Sequence, residues 1–104
     1  MTKKPTKVEL TQSALSDLES IAIYYEDQGV PKVGRRFMVE IIEKIERLKQ
    51  HPESGRIVPE FGVAHIKEII FPPFRIVYQN TSGCIWVLRV WRSERLMVKS
   101  ILPS

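Results

Sequence analysis

The sequence predicts an α+β domain in which an antiparallel helical hairpin lies on one face of an antiparallel sheet, in the order β-α-α-β-β-β. Three observations predict it. Apolar residues recur at helical spacing through the first half and at strand spacing through the last third, and a run broken by proline and glycine separates the two regions. Helices joined by a turn of two or three residues must run antiparallel, and strands joined by short connections pair the same way.

Residues 1–6 read as a loose tail, and Lys7-Val8-Glu9-Leu10 alternates as a short strand does. Thr11 offers a helix N-cap. Ala14, Leu15, Leu18, Ile21, Ala22 and Tyr25 then follow as one apolar stripe, which Gln28-Gly29 closes. Pro31 suits the first turn of a second helix, whose stripe is Val33, Phe37, Met38, Ile41, Ile45 and Leu48, ending before His51-Pro52. Gly34 weakens that helix locally, and its expected purpose is to let the two helix backbones approach near the turn. From His51 to Val63 the chain reads as a loop, broken by Pro52, Gly55, Pro59 and Gly62.

Three strands are expected near His65 to Ile70, Phe74 to Gln79 and Cys84 to Trp91, joined by Phe71-Pro72-Pro73 and Asn80-Thr81-Ser82-Gly83. A short helix or tail is expected from Ser93 on. If the four-residue connection closes symmetrically, residue 79 pairs with 84 and 75 with 88. One face then carries Phe74, Ile76, Tyr78, Ile85, Val87, Arg89 and Trp91; the other carries Arg75, Val77, Gln79, Cys84, Trp86, Leu88 and Val90. Both faces are apolar with one arginine, so parity leaves open which is covered, and a bulge would reverse it.

A chain of 104 residues, 43% apolar and 27% charged, builds one domain, here taken as residues 1–104. The lone Cys84 excludes an internal disulfide, and its run Cys84-Ile85-Trp86-Val87-Leu88 suggests a buried small side chain in a reducing cytoplasm. No stretch has signal-peptide character or approaches the roughly 18 apolar residues of a membrane span, so no membrane partner is expected. One cysteine and two distant histidines make no metal site, and no glycine-rich phosphate loop is present, so no cofactor is expected. The net charge of +4 favours an acidic partner. Its layout says more: nine Lys/Arg face eight Asp/Glu in residues 1–50, and seven face four in residues 51–104, five of the seven being arginine. Arginine suits forked contacts with carboxylate or phosphate.

Gly55-Arg56-Ile57-Val58-Pro59-Glu60, Glu68-Ile69-Ile70, Pro73-Phe74-Arg75-Ile76-Val77-Tyr78 and Leu88-Arg89-Val90-Trp91-Arg92-Ser93-Glu94-Arg95 follow one another in the order and spacing of the ParE/RelE toxins. With the helical hairpin, the chain resembles that superfamily over roughly residues 7–98. The resemblance implies a plasmid-stabilisation type of toxin, held by a cognate antitoxin and touching DNA only through it. It implies two alternative targets: DNA gyrase, as for ParE-like members, or messenger RNA in the ribosome, as for RelE-like members. A third reading is a non-toxic partner kept for autoregulation.

A nuclease needs a base, an acid and cations over the phosphorane, whereas a gyrase inhibitor needs only a binding surface. Arg75 matches the arginine that RelE-like members carry in this strand, which would steady phosphate; a structural arginine paired with a carboxylate, or one held for the antitoxin, is the alternative. The catalytic candidates are Arg75, Arg92 and Glu60, with Glu94 or Lys99 as further proton carriers. Salt bridges from Glu60 and Glu94 to Arg56 and Arg92 are the competing assignment. Strand Ile66-Lys67-Glu68-Ile69 leaves a single lysine, His51 and His65 are the only histidines, and no tyrosine or histidine follows Trp91. That incomplete set favours the gyrase reading, with Arg56, Arg75, Arg89, Trp91, Arg92 and Arg95 as the binding surface. Trp86 is expected to pack in the core, Trp91 to pack at a strand end, and Tyr24 to lie exposed beside a buried Tyr25.

Overall fold

A computed structural model describes residues 7–92. It contains β1 (Lys7–Leu10), α1 (Gln12–Asp27), α2 (Pro31–Arg47), β2 (Arg56–Ile57), β3 (Ile66–Phe71), β4 (Phe74–Thr81) and β5 (Cys84–Arg92). The expected tail at residues 1–6 and the helix or tail from Ser93 on lie outside the described residues. The α+β order is as the sequence predicts, with β2 added inside the stretch read as a loop. Two residues among prolines and glycines carry no periodic signal, and β2 exists because β3 offers it an edge, with Arg56 opposite Glu68 and Ile57 opposite Lys67.

The sheet order is β1-β5-β4-β3-β2. All neighbours pair antiparallel except β1, which lies parallel to β5. A parallel pair needs a long connection, and the helical hairpin with the rest of the sheet supplies it. β1 accompanies β5 only from Cys84 to Val87. Beyond that point α1 takes over the β5 edge. The Thr11 amide donates to the Val87 carbonyl at 3.0 Å, and the Thr11 hydroxyl donates to the Leu88 carbonyl at 2.9 Å. The same oxygen accepts from the Ala14 amide at 3.0 Å, so the N-cap both starts the helix and ties it to the sheet.

Gln28 caps the C-terminus of α1, and Gly29 follows with φ of 78°, the left-handed conformation that closes helices. Pro31 opens α2. Gly34 is buried, and a Cβ there would lie 2.8 Å from Cβ of Tyr25, so the expected close approach of the helices is present. Ala14, Leu18, Ile21 and Tyr25 of α1 and Ile41 and Ile45 of α2 pack on Phe74, Ile76, Val87 and Val90. Leu48, Tyr78 and Ile85 form a second cluster. Leu15 and Ala22, expected on the α1 stripe, are exposed; each sits about 100° round the helix from a buried neighbour and overshoots the sheet.

The β4–β5 connection is tighter than read. Ser82-Gly83 alone makes the turn, Gly83 having φ of 79°, and residue 81 pairs with 84 in place of 79. A bulge follows: Tyr78 faces Val87 and Val77 faces Arg89, which leaves Leu88 over and brings Trp91, not Leu88, opposite Arg75. The helix-facing side therefore carries Phe74, Ile76, Tyr78, Ile85, Val87, Val90 and Arg92. The other side carries Arg75, Val77, Gln79, Cys84, Trp86, Arg89 and Trp91. The expected faces hold up to Val87 and reverse after it. Arg89 and Trp91 thereby join Arg75 on the side without helices, while Val90 enters the core. On that side Trp86 is 39% exposed, against the packed position expected for it, and Cys84 is only half-buried.

Candidate functional site

The side of the sheet turned away from the helices holds three residues as inaccessible as the core: Val77 and Glu68, each 1% exposed, and Arg75 at 8%. Alternation within β3 and β4 places all three on this face, since Glu68 pairs with Val77 and Arg75 lies two positions along. The segment between β2 and β3 reaches over them. Val58 within it is fully buried, and Glu60 grips Arg75 with both carboxylate oxygens.

The result is a chain of four charges. Arg56 Nε donates to Glu68 Oε2 at 2.8 Å, and Arg75 Nε donates to Glu68 Oε1 at 2.6 Å. The two terminal nitrogens of Arg75 then donate to Glu60 Oε2 and Oε1 at 3.0 and 2.9 Å. Two guanidinium groups and two carboxylates cancel, which is the condition under which charges persist in a dry site. Burial works against the charge on Arg75, but the hydrogen bonds it donates to Glu60 and Glu68 outweigh it and hold its pKa above the ordinary arginine value. The Arg75 hydrogen bonds hold Glu60 below the usual carboxylate range, against its own partial burial. A carboxylate so held is a poor proton carrier near neutral pH.

Two further arginines are fixed nearby. Arg89 donates to Asp17 through Nε and a terminal nitrogen at 2.8 and 2.9 Å, and its guanidinium carbon lies 5.2 Å from the ring centre of Trp91. Asp17 also accepts the Val90 amide at 2.9 Å, so α1 closes the β5 edge that β1 leaves. The Asp17 hydrogen bond raises the Arg89 pKa more than burial lowers it. Arg92 is on the helix side, where Nε donates to the Tyr25 hydroxyl at 2.9 Å and the guanidinium stacks 4.4 Å from the Tyr24 ring centre. A groove of about 380 Å³ runs there between α1 and β5, lined by Asp17, Ser20, Ile21, Tyr24, Val90, Trp91 and Arg92.

Of the sequence-derived candidates, the fold brings together Arg56, Arg75 and Glu60, and beside them Arg89 and Trp91. It does not bring Arg92 to Arg75; adjacent strands put them on opposite faces. Arg95, Glu94 and Lys99 lie outside the described residues. Glu60 pairs with Arg75, not with Arg56 as one alternative held. Lys67 turns toward the helix side, with Nζ 3.5 Å from Glu53. His51 and His65 are exposed and, among the described residues, make no hydrogen bond to the network. Among the described residues no cluster of metal-ligating side chains occurs, and no helix is long and apolar enough to cross a membrane. Around the network the face exposes Ile70 and Trp86, flanked by Phe61 and Val63 of the covering segment.

The sequence model for the ParE toxin of type II toxin-antitoxin system, parDE, matches residues 8–97. The chain belongs to the ParE toxin family. Solved structures agree on the fold of this ParE-family chain. A chain from the chromosomal ParDE toxin-antitoxin system of P. aeruginosa superposes with a TM-score of 0.72 at 22% identity, covering 85% of this chain and 96% of its own. A chain from the RelBE2 toxin-antitoxin complex of Mycobacterium tuberculosis superposes with a TM-score of 0.63 at 19% identity, covering 86% and 99%. No curated protein sequence matches significantly.

Two members of the site in this ParE-family chain escaped sequence reading. Glu68 stands in an apolar strand next to Lys67, where a carboxylate on the face opposite that lysine and facing two arginines was a usable signal once the register was known. Asp17 lies on α1 and is joined to Arg89 across 72 positions, a contact that only the bulge creates.

Proposed function

We propose that this ParE-family toxin acts by binding, through the open sheet face and the β5 end, with DNA gyrase as its target, and that a cognate antitoxin in the same cytoplasm neutralises it. The observation that carries this reading is the state of Arg75. Its fork is filled by Glu60, its Nε is taken by Glu68, and Arg92 faces the other way, so the described residues offer no convergent pair of phosphate cation and proton carrier. What they do offer is a surface: exposed Trp86 and Ile70, half-buried Trp91, and the arginines Arg56 and Arg89 at its margins. Aromatic and arginine side chains dominate protein–protein contact energies, and an acidic antitoxin segment complements a chain of net charge +4. The solved ParDE and RelBE2 relatives come from toxin-antitoxin systems, which supports the antitoxin part of the reading.

The test is two assays on antitoxin-stripped protein, gyrase supercoiling and cleavage of messenger RNA on translating ribosomes. Lost supercoiling with intact RNA supports the reading. RNA cut only on ribosomes replaces it with the endoribonuclease alternative, and no effect in either replaces it with a non-toxic partner kept for autoregulation.

A further inference from the structure

We propose that residues 58–65 form a strap latched over the open sheet face by Glu60, and that the strap opens as a local unit, exposing Arg75 while the sheet stays folded. This inference does not depend on the target of the toxin. Among the described residues no helix covers the face beneath the strap, yet Val77, Glu68 and Arg75 are almost wholly buried on it. The strap that buries them is held at few points. Its root is the Val58 amide donating to the Ile66 carbonyl at 3.2 Å, with the Val58 side chain fully buried. The amides of Phe61 and Gly62 donate to the Val58 carbonyl within the strap and move with it, whereas at its far end the Ile66 amide of β3 donates to the Val63 carbonyl at 3.2 Å and the Asn80 amide of β4 donates to the His65 carbonyl at 3.1 Å. Between those ends, among the described residues, the side-chain tie from residues 59–62 to the sheet is the Glu60–Arg75 fork. Pro59 has no amide to give, and Gly62 with φ of 67° supplies the reversal at the tip.

The two carboxylates on Arg75 thus have different standing. Glu68 comes from β3 and is completely enclosed, so it moves only if the sheet comes apart. Glu60 comes from the strap and keeps 16% of its side chain in contact with water. Losing Glu60 leaves Arg75 neutralised by Glu68, and the guanidinium gains water in place of its second partner. Local opening of this kind is the ordinary behaviour of segments with few ties to the body of a fold. In the latched state any partner approaching this face meets Glu60, Phe61 and Val63 before it meets Arg75.

Glu60→Gln tests the latch by native-state hydrogen exchange and by labelling with an arginine-selective dicarbonyl mapped by mass spectrometry. A charge-assisted fork replaced by a neutral contact should raise the exchange rate of the Val58 amide and the labelling of Arg75 by about ten- to a hundredfold. The amides of β4 and β5 should keep their protection. Equal Val58 exchange and Arg75 labelling in both proteins overturns the proposal, because the fork then holds nothing. Loss of protection in β4 and β5 in step with Val58 also overturns it, because the strap then has no opening of its own. Glu68→Gln is the contrast: it should loosen strap and sheet together.

Discussion

Replacing Arg75 by alanine should destabilise the fold before it tests any chemistry. The residue is 8% exposed and holds two carboxylates, one of which, Glu68, is 1% exposed. Removing one partner of a buried ion pair costs about 3–5 kcal/mol, because the charge left behind stays desolvated. Glu60 escapes by turning to water with its strap, and Glu68 retains Arg56, which favours the lower end of that range. A small domain has only about 5–15 kcal/mol in total, so even about 3 kcal/mol is a large share. With an unfolding entropy of about 0.22 kcal/mol per kelvin for a chain of this size, the melting temperature should fall by roughly 14–23 °C. Urea denaturation of the two proteins at neutral pH measures this. A loss under about 1 kcal/mol would refute the reasoning, since that is the behaviour of a solvent-screened surface pair. Arg75→Met combined with Glu68→Gln should recover much of the stability, as neutral pairs of similar volume commonly do. A toxin that loses activity through Arg75→Ala is therefore uninformative about catalysis until its folding has been measured.

Gly55→Ala should cost about 1–3 kcal/mol by denaturant titration, because a Cβ there would lie 2.7 Å from both the Glu68 carbonyl and the Tyr78 hydroxyl, and that hydroxyl is held between the Gly55 amide and the Pro52 carbonyl. Asp17→Ala should cost a similar ~1–3 kcal/mol, since it strips Arg89 of its fork and leaves the Val90 amide without its acceptor; the loss should appear as faster exchange of that amide. The Glu60 contribution should follow the sign set by its lowered pKa. A group whose folded pKa is depressed stabilises fully above its unfolded value of about 4.3 and loses that stabilisation as pH falls through the folded pKa. The stability difference between wild type and Glu60→Gln should thus be flat from about pH 6 to 8 and shrink on acidification below about 4; a difference that changed between pH 6 and 8 would contradict the assignment.

The elements and their order were legible because each rests on a local signal: the Thr11 cap, the Gly29 stop, Pro31 at a helix start, and alternation in β4. Arg56, Arg75, Arg89, Trp91 and Glu60 were legible as candidates because arginine and aromatic side chains concentrate near the strands. How they combine was not. The bulge at Leu88 shifts Arg89 and Trp91 to the Arg75 face and sends Arg92 to the helices, and a bulge has no signature in alternation until the partner strand is placed. β2 stayed hidden for the same reason, being a strand only by virtue of the edge it meets. Trp86 misled because an aromatic in an apolar run reads as core, whereas alternation in a central strand gives half of such a run to the other face. Glu68 was passed over because its meaning depends on two arginines that reach it from different strands.

The central claim, that this toxin acts by binding and not by cutting RNA, is tested most directly with antitoxin-free protein on translating ribosomes, following messenger RNA length beside gyrase supercoiling. The account predicts full-length RNA and inhibited supercoiling. Ribosome-dependent cleavage by a wild-type protein, abolished in a folded Arg75→Met/Glu68→Gln variant, would contradict it.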